Sequence, residues 1–510
     1  MKHQSHQIRR ISRWVFLTFL SAYAIITRGH FQSTDEIAVY EQARALWERG
    51  DLDVSPMINT RIGRGGRSYA VYGVGQSLAA VPLYVVGKLI GTAIATSPQW
   101  TLTFAGPTIA NGSSRWGGDV EIFAVSLFGA IAAALVCTVF FVFSTQFGAT
   151  PHSALVGVAL FGTTSYIVGF ASNFFQHALE TLTVLTGFYL LFKDARVPSV
   201  LYRALAGLLV GYTVVVRAQS LVLVPALSGY FVWNLCRRQR LHTNSKYVRI
   251  GEVLLESLPF FGLVFLGMCA QLLINNFKFG SPSFSGGYTV AASFDSSLLT
   301  SLYGFLFSPG QSIFVFTPLL IVVPLYATEF KRVYPVEAAC ILGMAISYLL
   351  FYGKYVTWHA QWSFGPRFLL VIVPLLLLPF AGWWVKASAS WRAVALALGA
   401  LGLLVQTLHV AVNFSYVYHF ENYTTYRPEF GFLFIPQDSQ LASHYRALMA
   451  GDHRVDMWLV TVYRQFGMGR LLVVSVPLVA LLGFSLWGLR RAVRGVVPRF
   501  KTTHDAVLSS

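Results

Sequence analysis

Acidic residues are scarce in this chain: 21 Asp and Glu stand against 38 Lys and Arg among 510 residues. Charge of either sign is sparse too, at 12% of residues, while 55% are hydrophobic and the mean hydropathy is +0.58. That balance excludes a soluble globular domain of this size and defines an all-α polytopic membrane protein. The net charge of +17 does not imply nucleic acid, because Lys and Arg fall in short clusters between apolar runs, as in cytoplasmic loops, and not in one stripe. Cys137, Cys236, Cys269 and Cys340 sit inside apolar runs or at their cytoplasmic ends, which leaves no outward pair for a disulfide. The sequence has no P-loop, Cys-x-x-Cys pair, dinucleotide fingerprint, Ser-His-Asp order or solenoid repeat, and its first apolar run lacks a small-residue cleavage site.

Apolar runs of about 20 residues fall near 11–27, 119–146, 153–171, 177–192, 204–216, 218–235, 251–275, 312–328, 334–352, 368–385, 393–412 and 471–489. These give about twelve transmembrane helices. The run Tyr72 to Ala95 is also apolar, but counting it would invert every later loop. The clusters Lys193/Arg196/Arg203, Arg237/Arg238/Arg240, Lys331/Arg332, Lys386/Arg392 and Arg490/Arg491/Arg494 are cytoplasmic only if that run does not cross, so it is read as interfacial or re-entrant. Both termini are then cytoplasmic in a multi-pass cell-membrane protein. Residues 1–412 form the main membrane module, with 28–118 as a long first outer loop; 413–470 form an extracytoplasmic segment, 471–489 the last span and 490–510 a basic cytoplasmic tail.

The first outer loop holds the acidic pair Asp35-Glu36. Ser33-Thr34-Asp35-Glu36 is a capping box and opens an amphipathic helix, with Ile37, Val39, Tyr40, Ala43, Leu46 and Trp47 on its apolar side and Gly50 as its stop. First-turn carboxylates suit the helix dipole without further purpose. They also lie at the outer edge of the bilayer, where a reacting group is cut off from cytosolic nucleotide sugars and ATP and depends on another route of supply, such as a lipid carrier. The same loop carries Arg61, Arg64 and Arg67 among glycines, suited to a phosphate group or a lipid-headgroup anchor, and then Tyr72-Gly-Val-Gly-Gln-Ser.

Taken together, Thr34-Asp-Glu, Tyr72-Gly-Val-Gly-Gln-Ser-Leu, Asn276-Phe-Lys-Phe-Gly-Ser-Pro with Gly287-Tyr288, Leu306-Phe-Ser-Pro-Gly and Trp358-His-Ala-Gln-Trp-Ser-Phe-Gly-Pro-Arg-Phe-Leu resemble bacterial members of the GT-C glycosyltransferase superfamily, related to protein O-mannosyltransferases and lipid A aminoarabinose transferases. The resemblance covers most of the chain. It implies a GT-C fold, a polyprenyl-phosphate sugar as donor, and an Asp of the first outer loop that serves the acceptor or catalysis. Carried over, Asp35 is the base and Glu36 its neighbour. The His-Pro-Pro signature of the protein mannosyltransferases is replaced by the Gly-Val-Gly-Gln-Ser run, which argues against a protein acceptor.

The chemistry asks for the same groups. Transfer from a polyprenyl phosphate needs a base for the acceptor proton and cations for the departing phosphate. Arg367, after Gly365-Pro366 at the outer mouth of a span, is the first candidate cation, and Lys354 and Arg217 follow. Snorkelling at the membrane edge is the other role open to Arg367 and Lys354. Tyr288, Trp358 and Trp362 stack on a sugar or mark the aromatic belt; His359 belongs to the same outer stretch as a substrate-binding candidate. His177 and Glu180 lie one turn apart at the outer start of a span, so both can face one cavity. Such a pair serves a substrate, a helix–helix link or, with Asp35, a divalent metal; a carboxylate site favours Mg or Mn. The cofactor is otherwise unknown. The expected function is outward-facing transfer of a hexosyl or pentosyl unit with inversion to a glycan, lipid or protein acceptor. A ligase or polymerase of lipid-linked glycans is the runner-up, and a lipid or solute transporter is the non-enzymatic alternative.

Overall fold

In a computed structural model, the described residues are 2–94, 119–243, 249–284, 286, 294–360, 363–412, 417, 431–450 and 455–494. The chain begins with α1 (Lys2–Ile26), α2 (Thr34–Arg49), the strands β1 (Thr60–Ile62) and β2 (Ser68–Ala70), and α3 (Gly75–Ile94). It continues through α4 (Asp119–Ser126), α5 (Phe128–Ser144), α6 (Pro151–Thr164), α7 (Ile167–Ala171), α8 (His177–Arg196), α9 (Val200–Val216), α10 (Val224–Thr243) and α11 (Ile250–Phe279). Then follow α12 (Leu298–Phe307), α13 (Ile313–Phe316), α14 (Val323–Val333), α15 (Pro335–Lys354), α16 (Ile372–Leu377), α17 (Phe380–Lys386), α18 (Ala389–Ala411), α19 (Gly431–Phe434), α20 (Gln440–Met449) and α21 (Trp458–Arg494).

Every expected apolar run is helical, whole or in pieces, within the described residues. Among the described residues, six helical stretches are long and apolar enough to cross a membrane: Val120–Ser144, Ala218–Leu241, Ile250–Phe279, Pro335–Lys354, Ala389–Ala411 and Trp458–Arg494. The other runs are shorter, broken or flanked by polar residues. Pro318 and Pro379, for example, lack the amide hydrogen that a continuous helix needs and divide 312–328 and 368–385 into pieces. Helix length and apolarity single out these six among the described residues, fewer than the twelve apolar runs of the sequence.

Helices α8 and α9 set the long dimension of the site. They run back to back, and the 20 residues of α8 cover about 30 Å, the thickness of a bilayer's hydrocarbon core. Arg196 and Arg203 therefore lie at one end of this pair, and His177 and Arg217 at the other. At the first end Arg203 is 3.0 Å from both Asp194 and Glu256, and Arg238 also pairs with Glu256. Close approach of α9 to α11 follows from Gly207-Leu-Leu-Val-Gly211, because a β-carbon at either glycine would meet the backbone of Phe260 or Leu263.

The run 72–95 forms one continuous helix from Gly75 to Ile94, packed on α2 and α4, with Ala95 outside the described residues. Its leading glycines serve close packing: a β-carbon at Gly73 or Gly75 would strike the backbone of Val215 and Val216. The expected last span, 471–489, lies within α21, whose backbone breaks at Gly467, with φ of 75°. Of the segment 413–470, only Val417, 431–450 and 455–470 are described, and of the tail only 490–494.

Candidate active site

The N-terminus of α2 separates two adjacent carboxylates. Ser33 caps the helix: its hydroxyl accepts from the Glu36 amide at 3.3 Å, and Glu36 Oε2 accepts from the Ser33 amide at 3.0 Å. Glu36 also accepts from the Gln32 amide at 2.8 Å and, from across the fold, the Phe174 amide at 2.6 Å. It is 1% exposed. Burial pushes its carboxyl above the usual range, against the pull of the Phe174 and Gln32 amides, the Arg28 charge and the Ser33 amide. Glu36 is therefore a fastening for the turn at 173–176, and it does not line the cavity described next.

Asp35 points elsewhere. Its Oδ1 accepts from Asn59 Nδ2 at 2.6 Å and its Oδ2 lies 3.4 Å from the Arg367 guanidinium. Both residues line a cleft of about 660 Å³, counting its open mouth, together with His177, Arg217, Gln271 and Phe175. Asp35, Arg367, Arg217 and His177 thus converge at the end of α8 and α9 opposite the Arg203 network.

Arg217 is held from below. It ends α9, its guanidinium 3.3 Å from Glu180 and donating to the Tyr352 hydroxyl at 2.9 Å and to His177 Nε2. Arginine offers only donors, so in this contact His177 Nε2 is the acceptor. Glu180 in turn accepts from Tyr348 at 2.6 Å and from Ser220. Arg367 opens a short 3-10 turn (Arg367–Leu369), and its guanidinium lies 5.3 Å from the ring centres of Phe175 and of Phe368. This is a pair of fixed cations, Arg217 beside Glu180 and Arg367 beside Asp35, in one cleft.

Other sequence candidates lie apart. Glu180 does not face the cleft with His177, because Arg217, Tyr348 and Ser220 draw its carboxylate into the bundle. Lys354 is exposed and donates to the Ser296 carbonyl at 3.2 Å. Arg64 stands exposed at the turn between β1 and β2, where Gly65 and Gly66 take φ of 69° and 73°, and Arg67 pairs with Asp51. Trp358 is neither in the cleft nor at a lipid-facing belt; it is 2% exposed, packed under Gly304 and against Phe305. His359 is buried behind it, and burial with the Arg367 charge lowers its imidazole to about 4. Tyr288 and Trp362 are outside the described residues. Among the described residues no three His, Cys, Asp or Glu side chains group to hold a metal; of the set Asp35, His177 and Glu180, each is engaged by an arginine.

Sequence reasoning missed Asn59, Tyr348 and Tyr352. The tyrosines had a signal: they sit four residues apart on one face of an apolar span, where polar groups mark function or a buried partner.

No family model and no curated protein matches this chain. Among solved structures it is similar to the Archaeoglobus fulgidus oligosaccharyltransferase in its apo form, at 10% identity and a TM-score of 0.48, over 78% of this chain and 55% of that one. It is also similar to archaeal oligosaccharyltransferase AglB from Archaeoglobus fulgidus in complex with an inhibitory peptide and a dolichol-phosphate, at 10% identity and a TM-score of 0.45, over 79% and 55%. The chain therefore spans little more than half the length of these structures. The reading of the site rests on the side chains above.

Proposed function

We propose that this chain is a membrane glycosyltransferase of the GT-C kind, moving a sugar from a polyprenyl-phosphate carrier to an acceptor hydroxyl at the outer face of the membrane. The observation that carries this reading is the meeting of Asp35 with Arg367 and Arg217 in one cleft. The position of that cleft, a bilayer's thickness from the Arg203 network, supports an outward site, since basic clusters favour the cytoplasm.

In the reaction, the acceptor oxygen bonds to the anomeric carbon while the bond from that carbon to the phosphate oxygen breaks. The electron pair passes to the phosphate, which leaves on its polyprenyl chain, and Asp35 takes the hydroxyl proton. Attack opposite the leaving phosphate inverts the anomeric centre. Arg367 and Arg217 stabilise the charge that grows on the phosphate, and Glu180 and Tyr352 keep Arg217 from following it out. Arg367 lies 3.4 Å from Asp35. A bound phosphate competes for that guanidinium and leaves the carboxylate available as base.

The test is incubation of purified protein with a panel of polyprenyl-phosphate sugars, reading release of polyprenyl phosphate. Turnover of at least one donor is expected. Folded protein that turns over none, or that moves a lipid across vesicles without consuming it, overturns the proposal.

A further inference from the structure

The β1–β2 hairpin takes no part in the reaction, yet it shows to its surroundings what a loop in water has no use for. Ile58 and Ile62 are 72% and 67% exposed, and Arg61 and Arg64 stand exposed beside them. Nearby acids are already matched. Asp51 meets Arg67 and Asp53 meets Arg49, whereas Arg61 donates to the Ile58 and Thr60 carbonyls and, with Arg64, has no carboxylate partner among the described residues. Tyr69 of β2 pairs with Arg61 on one side and bridges Asp53 on the other, so β1 is the free edge of the sheet. The neighbours Arg61 and Ile62 flank that edge from opposite faces.

Position decides what this surface meets. From Glu256, 3.0 Å from Arg203, to Phe277, helix α11 rises about 30 Å, the thickness of a hydrocarbon core. Leu258, Phe265, Leu266, Leu272, Leu273 and Phe277 are exposed along it, a face for lipid tails. The hairpin continues that face at its far end. Phe277 meets the Tyr69 ring at 6.4 Å, and Gly63 lies so close to the Lys278 carbonyl that a β-carbon would strike it. The tip thus stands at headgroup level, next to the cleft that Val71, Tyr72 and Gly73 line just after β2. There an arginine reaches phosphates and an isoleucine reaches the upper tails.

We propose that residues 58–67 form a docking element for an anionic lipid surface, with Arg61 and Arg64 on lipid phosphates and Ile58 and Ile62 in the acyl boundary. Charge and continuity choose this occupant: two unmatched cations adjoin a face that tails cover, which leaves a soluble acidic protein only the charges to hold. The proposal needs α11 to cross a bilayer and is independent of the sugar-transfer reading.

Hydrogen exchange of the full chain in lipid nanodiscs reads the contact. Amides of 58–67 are expected to exchange about fivefold more slowly in discs that contain phosphatidylglycerol than in discs of phosphatidylcholine alone, the preference that one arginine gives for an anionic surface. Replacing both arginines, Arg61→Gln with Arg64→Gln, is expected to erase that difference, while α8 exchanges as in wild type. Both side chains are exposed, so the double variant keeps the fold. Equal exchange of the wild-type hairpin in the two kinds of disc overturns the proposal, and so does a difference that survives in the double variant. Inorganic phosphate or polyglutamate added to the phosphatidylcholine discs is expected to leave the hairpin unchanged. Slowing by either to the extent that phosphatidylglycerol gives would make the hairpin an ion or protein site and sink the lipid surface.

Discussion

The β1–β2 hairpin and the cleft beside α2 both carry arginines, and they house them in opposite ways. Arg61 and Arg64 are exposed around a turn of two left-handed glycines, and Arg67 meets Asp51 while 56% of its side chain stays in solvent. Arg217 and Arg367 are 6% and 8% exposed, each at the terminus of a helical element and each beside a carboxylate. Glycine beside an arginine gives freedom, whereas charge stabilisation in a reaction asks for donors already fixed in place. The cleft supplies fixed donors, and the hairpin does not.

The strongest test of the contrast is Asp35→Asn, which keeps size and hydrogen bonding but removes the base. Sugar transfer is expected to fall roughly 10²- to 10⁴-fold with little change in unfolding temperature. A rate near wild type would reduce Asp35 to a first-turn charge worth about 0.3–1 kcal/mol. Next, Arg367→Ala is expected to weaken donor binding by about 2–5 kcal/mol, the loss for one partner of a desolvated charge pair. Unchanged donor affinity in calorimetry would move Arg367 into the hairpin's class.

Glu36→Gln comes third, at about 1–3 kcal/mol of stability, because its amide nitrogen must oppose either the Phe174 amide or those of Gln32 and Ser33. The pH dependence has a definite sign. Folded Glu36 keeps its proton above the ordinary value of 4.5, where the unfolded chain has released it, so its contribution to stability declines as pH rises through that window. Unfolding temperatures measured against pH should show this slope in wild type and lose it in Glu36→Gln. The smallest effect belongs to Arg64→Ala, within about 0.5 kcal/mol and with donor affinity unaltered; a clear loss of donor binding would show that the hairpin closes on the lipid phosphate.

What the sequence disclosed follows the reach of each interaction. The start of α2 was readable because Ser33 and Glu36 complete each other within four residues, and its end because Gly50 takes the left-handed turn. Asp35, Arg367 and His177 were readable as types of chemistry placed at span ends. Their meeting in one cleft was only an expectation, since it depends on contacts such as the one between Asp35 and Arg367, 332 residues apart. The Arg28–Asp456–His30 group was not legible at all: Asp456 lies more than 400 positions from Arg28 and His30, and none of the three belongs to a motif. Glu180 misled for a related reason. Helical spacing puts it on the His177 side of α8, but the buried Arg217, Tyr348 and Ser220 decide which way the carboxylate turns. The breaks at Pro318 and Pro379 likewise interrupt runs that hydropathy alone reads as continuous.

The turn at 173–176 couples stability to the site. The Phe174 amide bound to Glu36 anchors the backbone that carries Phe175, and the Arg367 guanidinium lies over the Phe175 ring. Whatever loosens the grip of Glu36 therefore loosens a wall of the cleft that holds Asp35.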